Sequence, residues 1–477
     1  MGFFMQFFGS AVVCYLSLII GLTFTWPSSS ITIFSYENTT TLNRAMTETE
    51  ISLLGSLSSV GALLTTPVFG YLLDIIGRRY SMIVAGIPYV ICWAMIASSK
   101  TVEVILAAMF IAGIGGAAFL VTPVYVSEIC QDSIRGSMTS GTMIFMGLGT
   151  LLSYTTGGYL PYHTNVYLQL TLAVIYVVLV YFIKESPLFL LQKGMEEEAA
   201  HSLAFYRNGN PDSKLVQDEI AKLKRIINTG GELTDVPTDP DALPVEMEKL
   251  NTEKDVETVA KPKLSPWKFL LKSKSSRYGL FLVLIFVTSS IFMGMVVIQV
   301  YAQPLFSTVV PTMSATMCSI VLGAVSILST VVSAYFIEIA GRKALMIGSA
   351  VSSGVCTLLL GTQLHLNWGP DILTPVFIYS FCICFSLGAG SVPYVLVAEL
   401  FLPEVKSLCS VLAIEWAWLT NFFLLLVYYP LVSLVGLGQL FYAFSCCCFL
   451  TAIFSYLYQP ETKGLSVDII QTRLAKK

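Results

Sequence analysis

The sequence predicts an all-α membrane protein: twelve transmembrane helices in two pseudo-symmetric six-helix bundles, with short helices in a central loop. Three observations predict it, namely twelve long apolar runs, basic residues gathered on one side of them, and charged motifs that recur in the second half. The 477 residues are 55% hydrophobic and only 12% charged, with mean hydropathy +0.74, whereas soluble chains carry about 25% charged residues. A helix needs roughly 20 apolar residues to cross ~30 Å of hydrocarbon. Such runs lie near 7–28, 50–72, 80–99, 103–126, 137–157 and 165–184, then near 277–302, 311–337, 344–365, 371–397, 409–431 and 436–457. Barrel strands are about 10 residues long and alternate apolar with polar; these runs are longer and uniformly apolar.

Taken in order, the first run has no basic leader and no small-residue cleavage site, so it reads as a retained span. An even number of spans then places both termini on one side, expected to be cytoplasmic. The charges agree: of 27 Lys and Arg, only Arg44 and Lys100 fall in loops assigned outside, and the short loops with Arg78, Arg79, Arg135, Arg342, Lys343 and Lys406 are all inside. Asn38-Thr39-Thr40 is a glycosylation triplet in the first outer loop. The predicted organisation is an N-terminal bundle (1–184), a cytoplasmic loop (185–276), a C-terminal bundle (277–457) and a tail (458–477). Within the loop, 195–206 and 211–227 have helical periodicity, and 231–263 is acidic, proline-bearing and expected to be a flexible linker. The loop reads about equally as a brace across the mouth of the bundle or as a plain connector; on a receptor reading it would recruit cytoplasmic partners. The eleven cysteines, such as Cys14, Cys92 and Cys446–Cys448, read as small apolar filler. Neither they nor the three histidines have metal-ligand spacing, so neither metal nor cofactor is expected.

The stretch GYLLDIIGRR (70–79) ends the second span with Asp74, Arg78 and Arg79, and AYFIEIAGRK (334–343) repeats it with Glu338, Arg342 and Lys343. Glu128 precedes Arg135 by seven residues as Glu399 precedes Lys406, and Glu185 of ESPLFLL is echoed by Glu461 of PETKGLS. Three matched pairs in the same order mark a duplicated six-helix unit, as in secondary transporters whose site lies between the repeats. Carboxylates beside Arg and Lys at converging helix ends form charge-assisted bridges. A reversible gate built from all twelve of these residues is the expectation.

Together G-x3-D-x2-G-R-R, E-x6-R, ESP-x-FLL and PETKG resemble the sugar porter family of the major facilitator superfamily over about residues 60–465. RGSM, TFTWPS and AELF are most similar to insect facilitated trehalose transporters. The resemblance implies the major facilitator fold, a central polar cavity and a small-molecule sugar as substrate. It also implies a multi-pass setting in the bilayer of the plasma membrane, and no nucleic acid. Where the family carries glutamines and an asparagine in the seventh span, this chain has Ser290 to Val296. Met143, Ser326, Ser386 and Met109 replace other family polar residues. The candidate binding set is therefore Gln299, Tyr301, Ser326, Ser386, Tyr394, Trp418 and Asn421, with Tyr301 expected to face inward. Gly388, Gly390 and Pro393 in GAGSVPY should break the tenth span near the site. Glu415 lies ~12 Å into the eleventh span, where a charge is costly and must face a polar cavity or be protonated.

Facilitative uniport of trehalose or a hexose is the leading expectation. Residues 7–34 hold no Asp or Glu for proton coupling, so symport stands second, beside a non-transporting receptor that senses solute on the same fold. No nucleophile–base pair or phosphate loop suggests an enzyme.

Overall fold

The computed structural model describes residues 2–36, 41–228, 265–465 and 467–475. The Asn38 triplet and the acidic segment 231–263 lie outside them. The N-terminal helices are α1 (Gly2–Phe34), α2 (Glu48–Ile76), α3 (Arg78–Ser98), α4 (Val102–Gly116), α5 (Ala118–Ile129), α6 (Asp132–Tyr159) and α7 (Tyr162–Phe182). The loop contributes α8 (Pro187–Gln192), α9 (Glu196–Arg207), α10 (Lys214–Asn228) and α11 (Pro266–Lys272). The C-terminal helices are α12 (Lys274–Phe292), α13 (Met295–Val300), α14 (Ala302–Val309), α15 (Ala315–Ala340), α16 (Arg342–Leu366), α17 (Leu373–Leu387), α18 (Val392–Glu399), α19 (Pro403–Val435), α20 (Leu437–Tyr458) and α21 (Val467–Ala475).

Among the described residues, eleven helices are long and apolar enough to span a membrane. The predicted fifth span, α6, is long enough at 28 residues but too rich in Gly, Ser and Thr to count as apolar. That composition serves packing. In lipid, helices associate through close contact of small residues rather than through a hydrophobic drive. A Cβ at Gly149 of α6 would stand 2.0 Å from the Leu18 carbonyl oxygen of α1, and one at Gly21 would stand 2.1 Å from the Met146 oxygen. Gly61 of α2 and Gly113 of α4 repeat the arrangement at 2.2 and 2.1 Å from facing carbonyls. Because the obstacle is backbone, Gly149→Ala must push α1 and α6 apart. We expect it to destabilise the protein by about 1–3 kcal/mol, read as a lower unfolding temperature in detergent. Gly136→Ala, with nothing within 4 Å of its Cβ position, should leave stability nearly unchanged.

The turns at Gly77 and Gly341 and the loop helices share one end of the bundle, called here the basic end; the opposite end is the far end. Helices α8, α9 and α10 enclose a small apolar core of their own, including Phe189, Leu203, Val216 and Ile220. They dock on the N-terminal helices alone: the Tyr206 hydroxyl donates to the Lys184 carbonyl at 2.5 Å, and Arg207 donates to the Ile129 carbonyl at 2.9 Å. Arg207 also holds Glu219 of α10 through two bonds of 2.9 and 2.6 Å. Helices α11 and α21 rest instead on the C-terminal helices. The described loop helices are thus fitted beneath the group they follow or precede, not laid across both.

Candidate functional site

The duplicated motif folds into two nearly identical clusters. Gly77 and Gly341 adopt φ of +90° and +82°, a region that only glycine enters readily, and each turn aims the next helix N-terminus at a carboxylate. Glu185 accepts the Arg78 and Arg79 backbone N–H groups at 2.8 and 3.1 Å; Glu461 accepts those of Arg342 and Lys343 at 2.9 and 3.1 Å. These carboxylates satisfy N–H groups that helix ends leave unpaired and sit at the positive pole of the helix dipole. Burial pushes the Glu185 carboxyl up, outweighing its N–H bonds. At Glu461 burial also opposes ionisation, yet N–H donors from Lys463, Arg342, Lys343 and Thr462 together hold the carboxyl below its usual range.

The side chains repeat as closely. Arg78 Nε and Nη2 donate to Glu128 Oε1 at 3.2 and 2.9 Å; Arg342 Nε and Nη2 donate to Glu399 Oε1 at 3.1 and 2.7 Å. Each Nη1 donates to a carbonyl five residues back, Leu73 or Ile337, at 3.1 Å. One difference separates them. Thr462 donates to Glu399 Oε2 at 2.5 Å, whereas Glu128 Oε2 is buried with no partner. Ser186, in the place of Thr462, caps α8 by accepting the Phe189 N–H instead, and the Phe189 ring covers Arg78 at 5.1 Å.

Four charges expected in one bridging network lie elsewhere. Asp74 is exposed, because the turn at Gly77 carries Arg78 away from it toward α5. Arg79 donates to the Tyr181 carbonyl at 2.5 Å and lies over the Tyr181 ring, and Lys343 lies over Tyr456. Lys406 is exposed. Arg135 donates to the Ser127 carbonyl at 3.1 Å, and the Glu338 side chain lies outside those described. Both ion pairs, Arg78–Glu128 and Arg342–Glu399, join helices of one group and do not cross between groups.

Toward the centre, several spans are discontinuous. The tenth breaks between α17 and α18 at Gly388–Ser391, where GAGSVPY predicts it, and the fourth breaks between α4 and α5 at Ala117. Ser290 of α12 donates to the freed Ala389 carbonyl at 2.7 Å, the kind of side-chain rescue that backbone at membrane depth requires. The seventh span breaks twice, at Met293–Gly294 (Gly294 φ +93°) and at Tyr301. Gln299 and Tyr301 therefore do not lie on one continuous helix. Gln299 is half-buried and its carbonyl accepts the Tyr154 hydroxyl at 2.6 Å.

Tyr301 is fully buried, stacked on Tyr428 with ring centroids 4.9 Å apart and meeting Tyr429 edge-on at 5.0 Å. Its hydroxyl presses on Gly55 of α2, where an added Cβ would stand 2.5 Å away. The two helix groups also meet at the far end through the Gln303 N–H on Ser28 Oγ (2.9 Å) and the Tyr159 hydroxyl on Met317 Sδ (2.9 Å). At the basic end, Ser137 and Ser140 of α6 and Val331, Val332 and Tyr335 of α15 are exposed. At the far end, direct contacts join the two groups.

On the basic-end side of the seal, Asn421 of α19 donates to Ser59 Oγ of α2 at 3.1 Å, while its Oδ1 is buried without a partner. Trp418, one turn nearer the basic end, has a buried unpartnered indole N–H and borders a small void beside Thr23, Ser58 and Ala62. Ser17, Thr23 and Ser153 add buried hydroxyls with no partner. Leaving such groups unpaired costs about 1–3 kcal/mol each by mutational data; of these, the Thr23 hydroxyl shares the small void with Trp418. Sequence reading missed these three. Ser326 of α15 and Ser386 of α17 both lie beside Cys382, while Tyr394 is on α18. There Ser326 is occupied with the Leu322 carbonyl and Cys382, and Tyr394 is 39% exposed. Glu415 is half-buried, three residues before Trp418.

A chain with this layout has known counterparts. Trehalose transporter 1 of Drosophila melanogaster is 25% identical over 467 residues, covering 96% of this chain and 50% of that protein, so the chain spans half that relative's length. Facilitated trehalose transporter Tret1 of Apis mellifera ligustica is 26% identical, covering 99% of this chain and 88% of its own. In fold, the chain is similar to the inward open xylose transporter XylE of E. coli (TM-score 0.76, 18% identity, 97% and 98% of the two chains) and to the human organic anion transporter MFSD10 (TM-score 0.57, 16%, 94% and 98%). The family model described as sugar (and other) transporter matches residues 2–474. The chain belongs to that family of transporters, not to a family of enzymes.

Proposed function

We propose that this protein is a facilitative transporter of a sugar, trehalose or a hexose, working by alternating access with both termini cytoplasmic in the plasma membrane. The observation that carries the reading is a far end where Tyr301, stacked on Tyr428, presses on Gly55 of the other group, beside unpartnered buried donors and acceptors at Asn421 and Trp418. Solute hydroxyls would take up Asn421 Oδ1, the Trp418 indole N–H, Thr23 and Ser153, while Gln299, Ser386 and Tyr394 line the path. The aromatic seal acts as the far-end gate, while the basic-end ion pairs, each within one helix group, stiffen that bundle so that it rocks as a unit. Uniport is favoured because α1 holds no carboxylate among residues 7–34.

Uptake of labelled trehalose, glucose and xylose into proteoliposomes tests this. We expect saturable uptake of at least one sugar without an imposed proton gradient. Uptake that requires the gradient replaces uniport with symport. Binding without flux would make the protein a sensor. Tyr301→Ala should unseal the far end, raising reagent access to the Asn421 region from that side and slowing net transport.

A further inference from the structure

A groove of about 840 Å³ opens on the side of the C-terminal group, away from the central path, between α12, α19 and α20. Phe281, Leu284 and Phe292 of α12, Trp416 of α19, and Leu450 and Phe454 of α20 line it. Its polar side chains are already engaged: Thr288 donates to the Leu284 carbonyl at 2.8 Å and accepts the Trp416 indole N–H at 2.7 Å. Ser289 and Thr451 each donate to the carbonyl four residues back, at 2.7 and 2.6 Å. The rest of its lining is mostly apolar, including Phe281, Leu284, Ile285, Leu450, Ile453 and Phe454, which suits a hydrocarbon chain.

From Phe281 to Phe292 the α12 wall runs about 17 Å at 1.5 Å per residue, close to one leaflet of a ~30 Å hydrocarbon layer. Its deep end stops where the seventh span breaks at Met293–Gly294. Its shallow end lies below Lys274 and Arg277, which precede Phe281 by seven and four residues and so share its face of the helix. Both are exposed. Long basic side chains at a helix end reach the headgroup layer and attract anionic lipid there.

We propose that this groove is a binding site for an anionic phospholipid of the basic-end leaflet. One acyl chain lies against Phe281, Leu284 and Leu450, and the phosphate sits on Lys274 and Arg277. Seated beside the break of the seventh span, such a lipid is placed to influence how α12 moves.

Native mass spectrometry of the full chain in detergent, titrated with phosphatidylglycerol or with phosphatidylcholine of the same acyl chains, tests it. Phosphatidylglycerol should remain bound at concentrations where phosphatidylcholine is lost. Lys274→Ala with Arg277→Ala should weaken it on the order of 25-fold, about fivefold for each basic residue. Lys274→Arg with Arg277→Lys should retain it, which separates charge from fold. Leu450→Trp, which fills the groove and leaves the basic pair intact, should lower occupancy by phosphatidylglycerol. Equal retention of the two lipids, or phosphatidylglycerol binding unchanged by the double alanine change or by Leu450→Trp, would overturn the proposal.

Discussion

Arg78→Ala should cost about 3–5 kcal/mol of stability, the range for removing one partner of a buried ion pair, and lower the unfolding temperature of the purified protein accordingly. Both side chains of the Arg78–Glu128 pair are only 8% exposed, and the change strips both donors from Glu128 Oε1 while Oε2 already has none. It also frees the Leu73 carbonyl and uncovers Phe189. Arg342→Ala should cost less. Glu399 is 26% exposed and keeps its bond from Thr462, so its charge is left partly solvated and partly paired. Removing both charges, as Arg78→Met with Glu128→Gln, should recover much of the loss, since the largest part of it is the stranded carboxylate. Equal effects of Arg78→Ala and Arg342→Ala would contradict the asymmetry drawn from Ser186 and Thr462.

The second large effect is expected at Asn421. Asn421→Leu removes the Nδ2 bond to Ser59 across the two helix groups and the Oδ1 acceptor, which has no protein donor among the described residues. A lost solute hydrogen bond in a buried site is worth about 1–3 kcal/mol, so uptake should fall by roughly 5- to 150-fold at low sugar concentration. Asn421→Asp, which keeps an acceptor, should retain more activity than Asn421→Leu. Thermal unfolding should change little for either, which separates a binding role from a structural one. Ser326→Ala should leave uptake nearly unchanged, because that hydroxyl is spent on the Leu322 carbonyl and Cys382.

The helical architecture was legible because crossing a bilayer demands long apolar runs, and nothing else in the chain competes with that signal. Even α6, where packing glycines dilute the hydropathy, reads as one of the apolar runs, near 137–157. The duplicated motif was legible as a repeat, and Glu185 and Glu461 do occupy matching roles. The pairing was not. The motif suggests Asp74 and Arg78 as members of one bridging network, but the turn at Gly77 (φ +90°) ends α2 between them and carries Arg78 to Glu128. The central residues were legible only in part. Asn421 and Trp418 sit among unpartnered polar atoms, while Tyr301 is committed to an aromatic seal whose partners, Tyr428, Tyr429 and Gly55, come from distant spans. Ser17, Thr23 and Ser153 escaped notice because most hydroxyls in these spans, such as those of Thr25 and Ser289, bond their own helix. Nothing in the sequence marks the ones that do not.

The central claim is that the two helix groups rock about their shared faces, the far end opening as the basic end closes. Distances between spin labels, measured with and without a transported sugar, test it most directly. One pair is placed at the far end by Leu160→Cys and Met313→Cys, the other at the basic end by Ser137→Cys and Tyr335→Cys, with exposed Cys446 replaced by serine. Sugar is expected to shift population toward a state in which the far-end distance lengthens while the basic-end distance shortens. Distances that stay fixed in both pairs, or change in the same direction, would contradict it.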